Sequence, residues 1–164
     1  MEKLILAADL GGTNLRMAAV SRSGDLAIRR KVCTPTSKTR EDILAAIEET
    51  ARSIRSELGD LGELAAFGAA VPAIVNSKQG IVLRSPNLPE LNGLEFSSYF
   101  SDRLKMPVVL ENDANSAAVG EFWKGASRGV QSSVCVTLGT GVGGGIIIDG
   151  KLLRGIDGTA GEIG

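Results

Sequence analysis

Three short stretches of the chain contain residue types that bind phosphate groups or activate hydroxyl groups. The first is Asp9-Leu10-Gly11-Gly12-Thr13-Asn14, which interrupts an apolar run that resumes at Met17. Because glycine lacks Cβ, the two glycines can bring their backbone N–H groups close to an anion, and the next two side chains add further donors. The stretch therefore predicts a phosphate-binding turn between two strands.

Asp9 stands at the end of the first apolar run. A carboxylate at the end of a buried strand is costly to desolvate unless it is paired or faces a cation. Beside phosphate groups that cation is Mg²⁺, bound directly or through water. The stretch alone leaves a second interpretation open, an ordinary Gly-Gly hairpin with a solvated aspartate.

The second stretch is Glu111-Asn112-Asp113, which follows a short apolar run from Pro107 to Leu110. The small residues after Asp113 favour a helix, so this aspartate is predicted at or near a helix start. Asparagine and aspartate are also the preferred N-caps, so a purely structural role stays open. The functional interpretation depends on position, because ligands of a parallel sheet bind at the carboxyl ends of its strands.

The third stretch is Val134 to Ile148, in which residues 139–144 match the dinucleotide fingerprint G-x-G-x-x-G. We reject that match, because the fingerprint requires a helix after the glycines. Here a β-branched run, Ile146 to Ile148, is followed by Asp149-Gly150, a strong hairpin signal. The segment from Gly145 to Lys151 also resembles a P-loop but does not match it, because Leu152 stands where Ser or Thr is needed. This stretch predicts a second glycine-threonine hairpin, able to hold one triphosphate together with the first.

A rigid polar connection runs from Arg84 to Pro89 and includes Ser85 and Asn87. Stiff loops of this kind often present side chains to a ligand, so both residues are candidates to hydrogen-bond a polyol. The alternative is that they only cap the local backbone.

The elements that must position these stretches follow from the hydrophobic pattern. The hairpin and a third strand from Leu26 to Val32 come first, and a helix begins after Thr39 and ends at Gly59. An apolar strand from Leu64 to Val71 follows the helix and is predicted parallel to the first strand. A helix that packs on the sheet is also predicted from the helical spacing of four core candidates, Phe96, Tyr99, Phe100 and Leu104. The expected fold class is α/β with a mixed five-stranded sheet.

Composition excludes several function classes. The net charge of −1, with no long basic run, indicates neither a nucleic-acid partner nor an acidic membrane surface. No apolar run is long enough to span a bilayer, and the first residues show no signal-peptide pattern, so a cytoplasmic protein is predicted. Cys33 and Cys135 form no metal or redox motif. The chain has no histidine, which excludes Ser-His-Asp chemistry within these residues.

Five motifs together resemble, in order and spacing, the sugar kinases of the repressor–ORF–kinase (ROK) family. They are residues 9–14, 85–89, 111–115, 138–145 and 161–164. The resemblance implies an actin-like ATPase (ribonuclease H-like) fold, with two α/β domains around an ATP cleft. It implies a first subdomain over residues 1–118 and the incomplete beginning of a second over 119–164. The implied activity is ATP-dependent phosphorylation of a hexose, above all glucose.

The resemblance also implies roles for individual residues. Asp9 would serve Mg²⁺, and Asp113 would be the catalytic base beside the sugar. ATP phosphates would be held from one side by Gly11, Gly12, Thr13 and Asn14, and from the other by Gly139, Thr140, Gly141 and Gly143. Sugar hydroxyls would be bound by Asn112 and Glu162, with Ser85 and Asn87 as further candidates.

Other functions remain open within the same resemblance. N-acetylmannosamine, N-acetylglucosamine or fructose could replace glucose as the substrate. The family also includes sugar-responsive transcriptional regulators, but those carry a helix-turn-helix before the first strand, for which residues 1–4 leave no room. A non-catalytic sugar-binding module would keep the glycine turns without needing Asp113.

The sequence departs from the family pattern at its end. The family motif that matches Gly161-Glu162-Ile163-Gly164 is normally followed by a histidine and a cysteine-rich zinc motif, whereas this sequence stops at Gly164. We therefore expect a truncated chain, deficient as a kinase, with structural zinc only in the part that is missing. The strands from Val134 to Leu153 are expected to keep an exposed apolar face, through which the chain would form a homodimer.

Overall fold

The computed structural model describes residues 2–37, 39–139 and 141–164. The strands are β1 (Glu2–Leu10), β2 (Asn14–Val20), β3 (Leu26–Cys33), β4 (Gly62–Val71), β5 (Ile74–Asn76), β6 (Ile81–Arg84), β7 (Val108–Asn112), β8 (Ser133–Leu138), β9 (Val142–Ile148) and β10 (Lys151–Leu153). The α-helices are α1 (Arg40–Leu58), α2 (Phe96–Leu104) and α3 (Asp113–Lys124). Among these elements, no helix combines the length and the apolar character needed to cross a membrane.

The predicted mixed five-stranded sheet is confirmed, with the strand order β3-β2-β1-β4-β7. The first three strands pair antiparallel because tight turns join them, whereas β4 and β7 run parallel to β1. A helix precedes each of the two parallel strands, as a crossover connection requires. The carboxyl ends of β1, β4 and β7 therefore lie at one edge of the sheet, at Asp9, Val71 and Asn112.

Helices α1 and α2 cover one face of this sheet and form its core. The Thr39 side chain caps α1 by accepting a hydrogen bond from the Asp42 amide at 3.2 Å, and Gly59, with φ of 48°, ends the helix. Of the four residues predicted as core in α2, Phe96, Phe100 and Leu104 are buried, whereas Tyr99 is only partly buried. The Phe100 ring centroid lies 4.6 Å from Phe96 and 5.6 Å from Phe67. All three rings are fully buried.

The opposite face of the five-stranded sheet carries small and charged side chains together with apolar ones, among them the exposed Leu26 and Val109. Strand alternation directs Leu4, Leu6 and Leu10 into the core and leaves Asp9 on this second face. Small residues in the middle of the strands make the face concave, with a trough of about 850 Å³ whose floor includes Ala7, Ala18, Gly68 and Ala70.

The second sheet has the order β10-β9-β8, and α3 packs against one of its faces. The glycine run of β9 permits this packing, since a Cβ on Gly145 would lie 2.4 Å from Ala118 Cβ and 2.8 Å from Ala114 O. The strand that follows the glycines confirms that the G-x-G-x-x-G match is not a dinucleotide-binding turn. Positive φ at both Asp149 and Gly150 confirms the predicted hairpin into β10.

The other face of the second sheet is apolar and exposed, as expected from the sequence. Val134, Val136 and Leu138 alternate along β8 and are 62, 51 and 82% exposed. The homodimer through this face stays a prediction. So does the division of the chain at residue 118, which falls inside α3.

Candidate active site

A cleft of about 520 Å³ lies between the two glycine turns. Its walls come from the β1–β2 turn, the segment after β6, the start of α3, the β8–β9 turn and the loop after β10. Of the predicted site residues, it is lined by Gly11, Gly12, Asn87, Asn112, Asp113, Gly139, Gly141, Gly143 and Glu162. The structure thus places residues from all three of the stretches singled out in the sequence around one cleft.

The β1–β2 turn is held in shape by hydrogen bonds to its own backbone. The Gly11 amide donates to Asn14 O at 2.8 Å, and the buried Thr34 hydroxyl donates to Gly11 O at 2.7 Å. A Cβ on Gly12 would lie 3.8 Å from Asn87 Cβ, so the turn packs beside the segment after β6. Thr13 and Asn14 belong to the same turn but do not line the cleft.

The β8–β9 turn closes through a hydrogen bond from the Gly139 amide to Gly141 O at 2.9 Å. Apart from the adjacent residues in the chain, no described heavy atom lies within 4 Å of a Cβ built on Gly139 or Gly141, so neither position is crowded. Gly143 differs, because a Cβ there would meet Thr137 Oγ1 at 2.6 Å and Ala114 Cβ at 3.0 Å. Gly143 therefore also serves helix packing. Thr140, predicted to hold phosphates, lies outside the described residues.

Asn112 acts as the N-cap of α3, and Asp113 is the first helical residue. Asn112 Oδ1 accepts from the Asn115 amide at 2.9 Å, and its Nδ2 donates to Ala73 O at 3.2 Å and to Asp113 Oδ1 at 3.1 Å. The Asp113 carboxylate also accepts from the Ala114 amide through Oδ1. The capping role that the sequence left open for Asp113 is thus filled by its neighbour, and the hydrogen bonds that the described residues donate from other side chains or amides reach Oδ1 of Asp113, not Oδ2.

The environment of Asp113 raises the pKa of its carboxyl above the ordinary value of 3.8. The main cause is partial burial between the walls of the cleft, which disfavours the charged form, and the negative charge of Asp9 acts in the same direction. Hydrogen bonds from the Ala114 amide and the Asn112 side chain oppose the rise. A carboxylate with a raised pKa that faces a cleft is suited to accept a proton from a bound hydroxyl group.

Asp9 lies at the end of β1, beside the trough on the second face of the sheet, and does not line the cleft itself. Its Oδ2 accepts from Arg16 Nη1 at 2.9 Å, and both side chains are about half exposed. No described group of three carboxylate, histidine or cysteine side chains could enclose a metal ion. One accessible carboxylate nevertheless fits Mg²⁺, which usually takes one or two protein carboxylates and fills its shell with phosphate oxygens and water.

Arg16 was not singled out from the sequence, although the hairpin register contained the signal. Two strands joined by a short turn place Asp9 opposite Arg16 and on the same face. Arg84 was also missed; it is the one cationic side chain among the described residues that line the cleft. Its position directly before Ser85-Pro86-Asn87 could have indicated it.

Ser85 and Asn87, the two polyol-binding candidates after β6, differ in their position relative to the cleft. Asn87 lines the cleft, as predicted. Ser85 is 1% exposed. Its hydroxyl group donates to Pro72 O at 2.8 Å and accepts from the Leu88 amide at 3.1 Å. The alternative of a local backbone cap thus describes Ser85 better than a direct contact with a polyol. Through these two hydrogen bonds, Ser85 stabilises the segment that carries Asn87.

Glu162 lines the cleft from the loop that follows β10. Its backbone amide donates to Thr159 O at 3.0 Å, and its side chain is exposed. The preceding Gly161 is buried against Gly144 and Asn115. The loop therefore packs on β9 and α3 while its acidic side chain faces the cavity.

A sequence model of the ROK family matches residues 5–164. The glucokinase of Thermotoga maritima is 37% identical over 165 residues, an alignment that covers all of this chain and 51% of that enzyme. The chain thus spans about half the length of the curated relatives that it matches.

Solved structures show the same relationship. A ROK family glucokinase from Streptomyces griseus, in complex with glucose and AMPPNP, has a TM-score of 0.88 and 40% identity, covering 98% of this chain and 49% of that protein. A ROK family transcriptional regulator, a homologue of the E. coli MLC protein, has a TM-score of 0.90 and 27% identity, covering 100% and 41%. The fold is that of the actin-like ATPases, as expected. The chain belongs to the ROK family.

Proposed function

We propose that this chain provides the phosphate-binding turns and the catalytic base for ATP-dependent phosphorylation of a hexose, with glucose as the main substrate. One observation carries the proposal: Asn112, Asp113 and Glu162 line the same cleft as the two glycine turns. The similarity to a glucokinase that binds glucose and AMPPNP supports both the sugar and the nucleotide.

The proposed reaction assigns the proton and the phosphoryl group to different parts of the cleft. Asp113 Oδ2 accepts the proton of the sugar hydroxyl, whose oxygen forms a bond to the γ-phosphorus of ATP while the bond to the β-phosphate oxygen breaks. The charge on the transferred group is stabilised by backbone N–H groups of the two glycine turns other than those of Gly11 and Gly139, which donate within their own turns. Mg²⁺, when bound near Asp9, would neutralise phosphate charge and orient the leaving group.

A sugar panel tests the substrate. ATP consumption by the full-length protein, and by the 164-residue chain alone, would be measured with glucose, fructose, N-acetylglucosamine and N-acetylmannosamine, and without sugar. We expect sugar-dependent ATP consumption by the full-length protein, with the highest kcat/KM for glucose, and deficient turnover by the 164-residue chain alone. Preference for another sugar would change the substrate and keep the reaction. ATP binding with no sugar-dependent turnover would indicate a non-catalytic module.

Regulation of transcription is the second candidate, because the similarity to the ROK regulator covers the whole chain. A regulator needs sugar binding but no phosphoryl transfer. Calorimetric titration with glucose, in parallel with the turnover assay, separates the two. Glucose binding without sugar phosphate formation would favour the regulator.

The kinase proposal includes a cytoplasmic location, because ATP is available there.

The pH dependence of turnover should report the raised pKa of Asp113. A base must be ionised, so kcat/KM should fall as the pH is lowered through the pKa of the free enzyme, and burial places that midpoint above 3.8. The measurement is kcat/KM for glucose between about pH 4 and pH 8, with circular dichroism at each pH to confirm that the chain is folded. A kcat/KM that does not fall as the pH is lowered to about 4 would contradict the role of Asp113 as the base.

A further inference from the structure

Glu111 and Asn115 belong to the motif that also contains Asn112 and Asp113, yet neither has a part in the proposed chemistry. Glu111 is the fourth residue of β7, and its side chain is only 14% exposed. Asn115 lies in the first turn of α3 and is 2% exposed. Polar groups with so little solvent contact need partners within the protein.

The Glu111 carboxylate has partners on three elements. Oε1 accepts from its neighbour, the Asn112 amide, at 3.0 Å and from Asn115 Nδ2 at 3.1 Å. Oε2 accepts from Arg154 Nε at 2.7 Å. One side chain thus joins the end of β7, the start of α3 and the loop after β10.

Arg154 begins the loop that carries Glu162. The Ala160 amide donates to Arg154 O at 3.2 Å, so the loop folds back on this residue. Asn115 supports the other end of the loop, because its Oδ1 lies 3.3 Å from the position of a Cβ on Gly161, directly before Glu162. Oδ1 is buried and has no hydrogen-bond partner among the described residues, so the contact with the loop is one of packing.

We infer that Glu111 is a positioning residue that, through Arg154 and Asn115, holds the Glu162 loop against the strand end that carries Asp113. The inference rests on the proposed function, since it assigns Glu162 to the sugar side of the cleft. An exposed ion pair would contribute little, but here the acidic partner is largely buried and both of its oxygens are engaged. Loss of the ion pair between Glu111 and Arg154 should therefore weaken sugar binding and leave ATP binding by the two glycine turns unchanged.

The test compares Arg154→Gln and Glu111→Gln with the unsubstituted sequence, each in the full-length protein. Arg22→Gln is the matched control, because this exposed arginine follows the end of β2 opposite to the glycine turn. We expect the KM for glucose to rise roughly tenfold in each test variant, the scale of a lost charge-assisted hydrogen bond. The KM for ATP and kcat should stay within about twofold, the double variant should be no worse than Glu111→Gln, and Arg154→Lys should recover part of the affinity.

Amide hydrogen exchange provides a readout that does not depend on activity. In Arg154→Gln the amides of residues 160–163 should exchange roughly tenfold faster, while those of α1 stay unchanged. Unchanged exchange in this segment would overturn the inference, and so would an unchanged KM for glucose in an active protein. Equal losses in kcat and in both KM values would also overturn it, as they indicate a general structural defect. Absence of sugar-dependent turnover in the unsubstituted full-length protein would refute the proposed function instead, and the exchange experiment would still test the positioning.

Discussion

Replacement of Asp113 by asparagine should lower sugar-dependent turnover by about 10²-fold or more and leave sugar binding in place. The amide keeps nearly the same shape and can still accept the Ala114 N–H bond that the carboxylate accepts at 2.9 Å. It cannot take up the proton of the attacking hydroxyl. The measurements are steady-state kcat and calorimetric Kd for glucose, made on the same preparations.

The same variant should be more stable than the parent chain at neutral pH. The pKa of Asp113 is raised in the folded state, so the folded protein holds the proton more tightly than the unfolded chain does. The ionised carboxylate therefore reduces stability above its folded pKa, and this penalty disappears as the pH falls below the unfolded value of about 3.9. Denaturant unfolding at about pH 7 and pH 4 should show a difference that shrinks with acidification.

Asp102→Asn is the matched control, because Asp102 is exposed on α2 and has no described side-chain hydrogen bond or ion pair. It should leave both turnover and stability unchanged. Near-normal turnover in Asp113→Asn would reduce Asp113 to a structural residue at the start of α3. A loss of glucose affinity as large as the loss of kcat would assign it to sugar binding instead of proton transfer.

Local patterns predicted the framework of this cleft because each of them depends on few neighbours. Alternation in β1 and β2, the Thr39 cap and the Asp149-Gly150 turn are determined by short-range geometry. The parallel order of β1, β4 and β7 follows from the helices that connect them. Together they place Asp113 at a sheet edge beside the glycine turns.

The partners of polar side chains could not be predicted in this way. Ser85 and Asn87 stand in the same short connection, yet only Asn87 reaches the cleft. Ser85 is buried because Pro72 O and the Leu88 amide lie within hydrogen-bond distance, an arrangement that requires the folded sheet. The ion pair between Glu111 and Arg154 likewise joins residues that are far apart in sequence. Such pairs depend on tertiary placement, which a spacing pattern does not contain.

The packing of Gly161 is a further feature that the motif alone did not reveal. A Cβ on Gly161 would lie 2.1 Å from Gly144 O, and real Cβ atoms stay at least 3.0 Å from such an atom. The φ of Gly161 is not in the left-handed region, so alanine is excluded by this contact and not by backbone strain. The carbonyl oxygen of Gly144 belongs to the backbone and a Cβ on residue 161 would be fixed to it, so either β9 or the Glu162 loop must move.

Gly161→Ala should therefore displace the loop by about 1 Å and lower kcat/KM for glucose by about 10²-fold, the scale expected for a misplacement of that size. Glu162 is the next residue and would move with it. The overpacked contact should also cost about 1 to 3 kcal/mol of unfolding free energy. Kinetics at several glucose concentrations and urea unfolding measure the two effects.

Gly120→Ala makes the same substitution where the structure has room for it. Gly120 is exposed within α3, and no described heavy atom outside the local helix backbone lies within 4 Å of its Cβ position. Because glycine weakens a helix relative to alanine, this control should gain about 0.5 to 1 kcal/mol and keep full activity. If Gly161→Ala matched that control in kcat/KM, the close approach of Gly161 to Gly144 would have no part in holding Glu162. A drop in the free energy of unfolding without a drop in kcat/KM would show that the contact between Gly161 and Gly144 contributes to stability and not to catalysis.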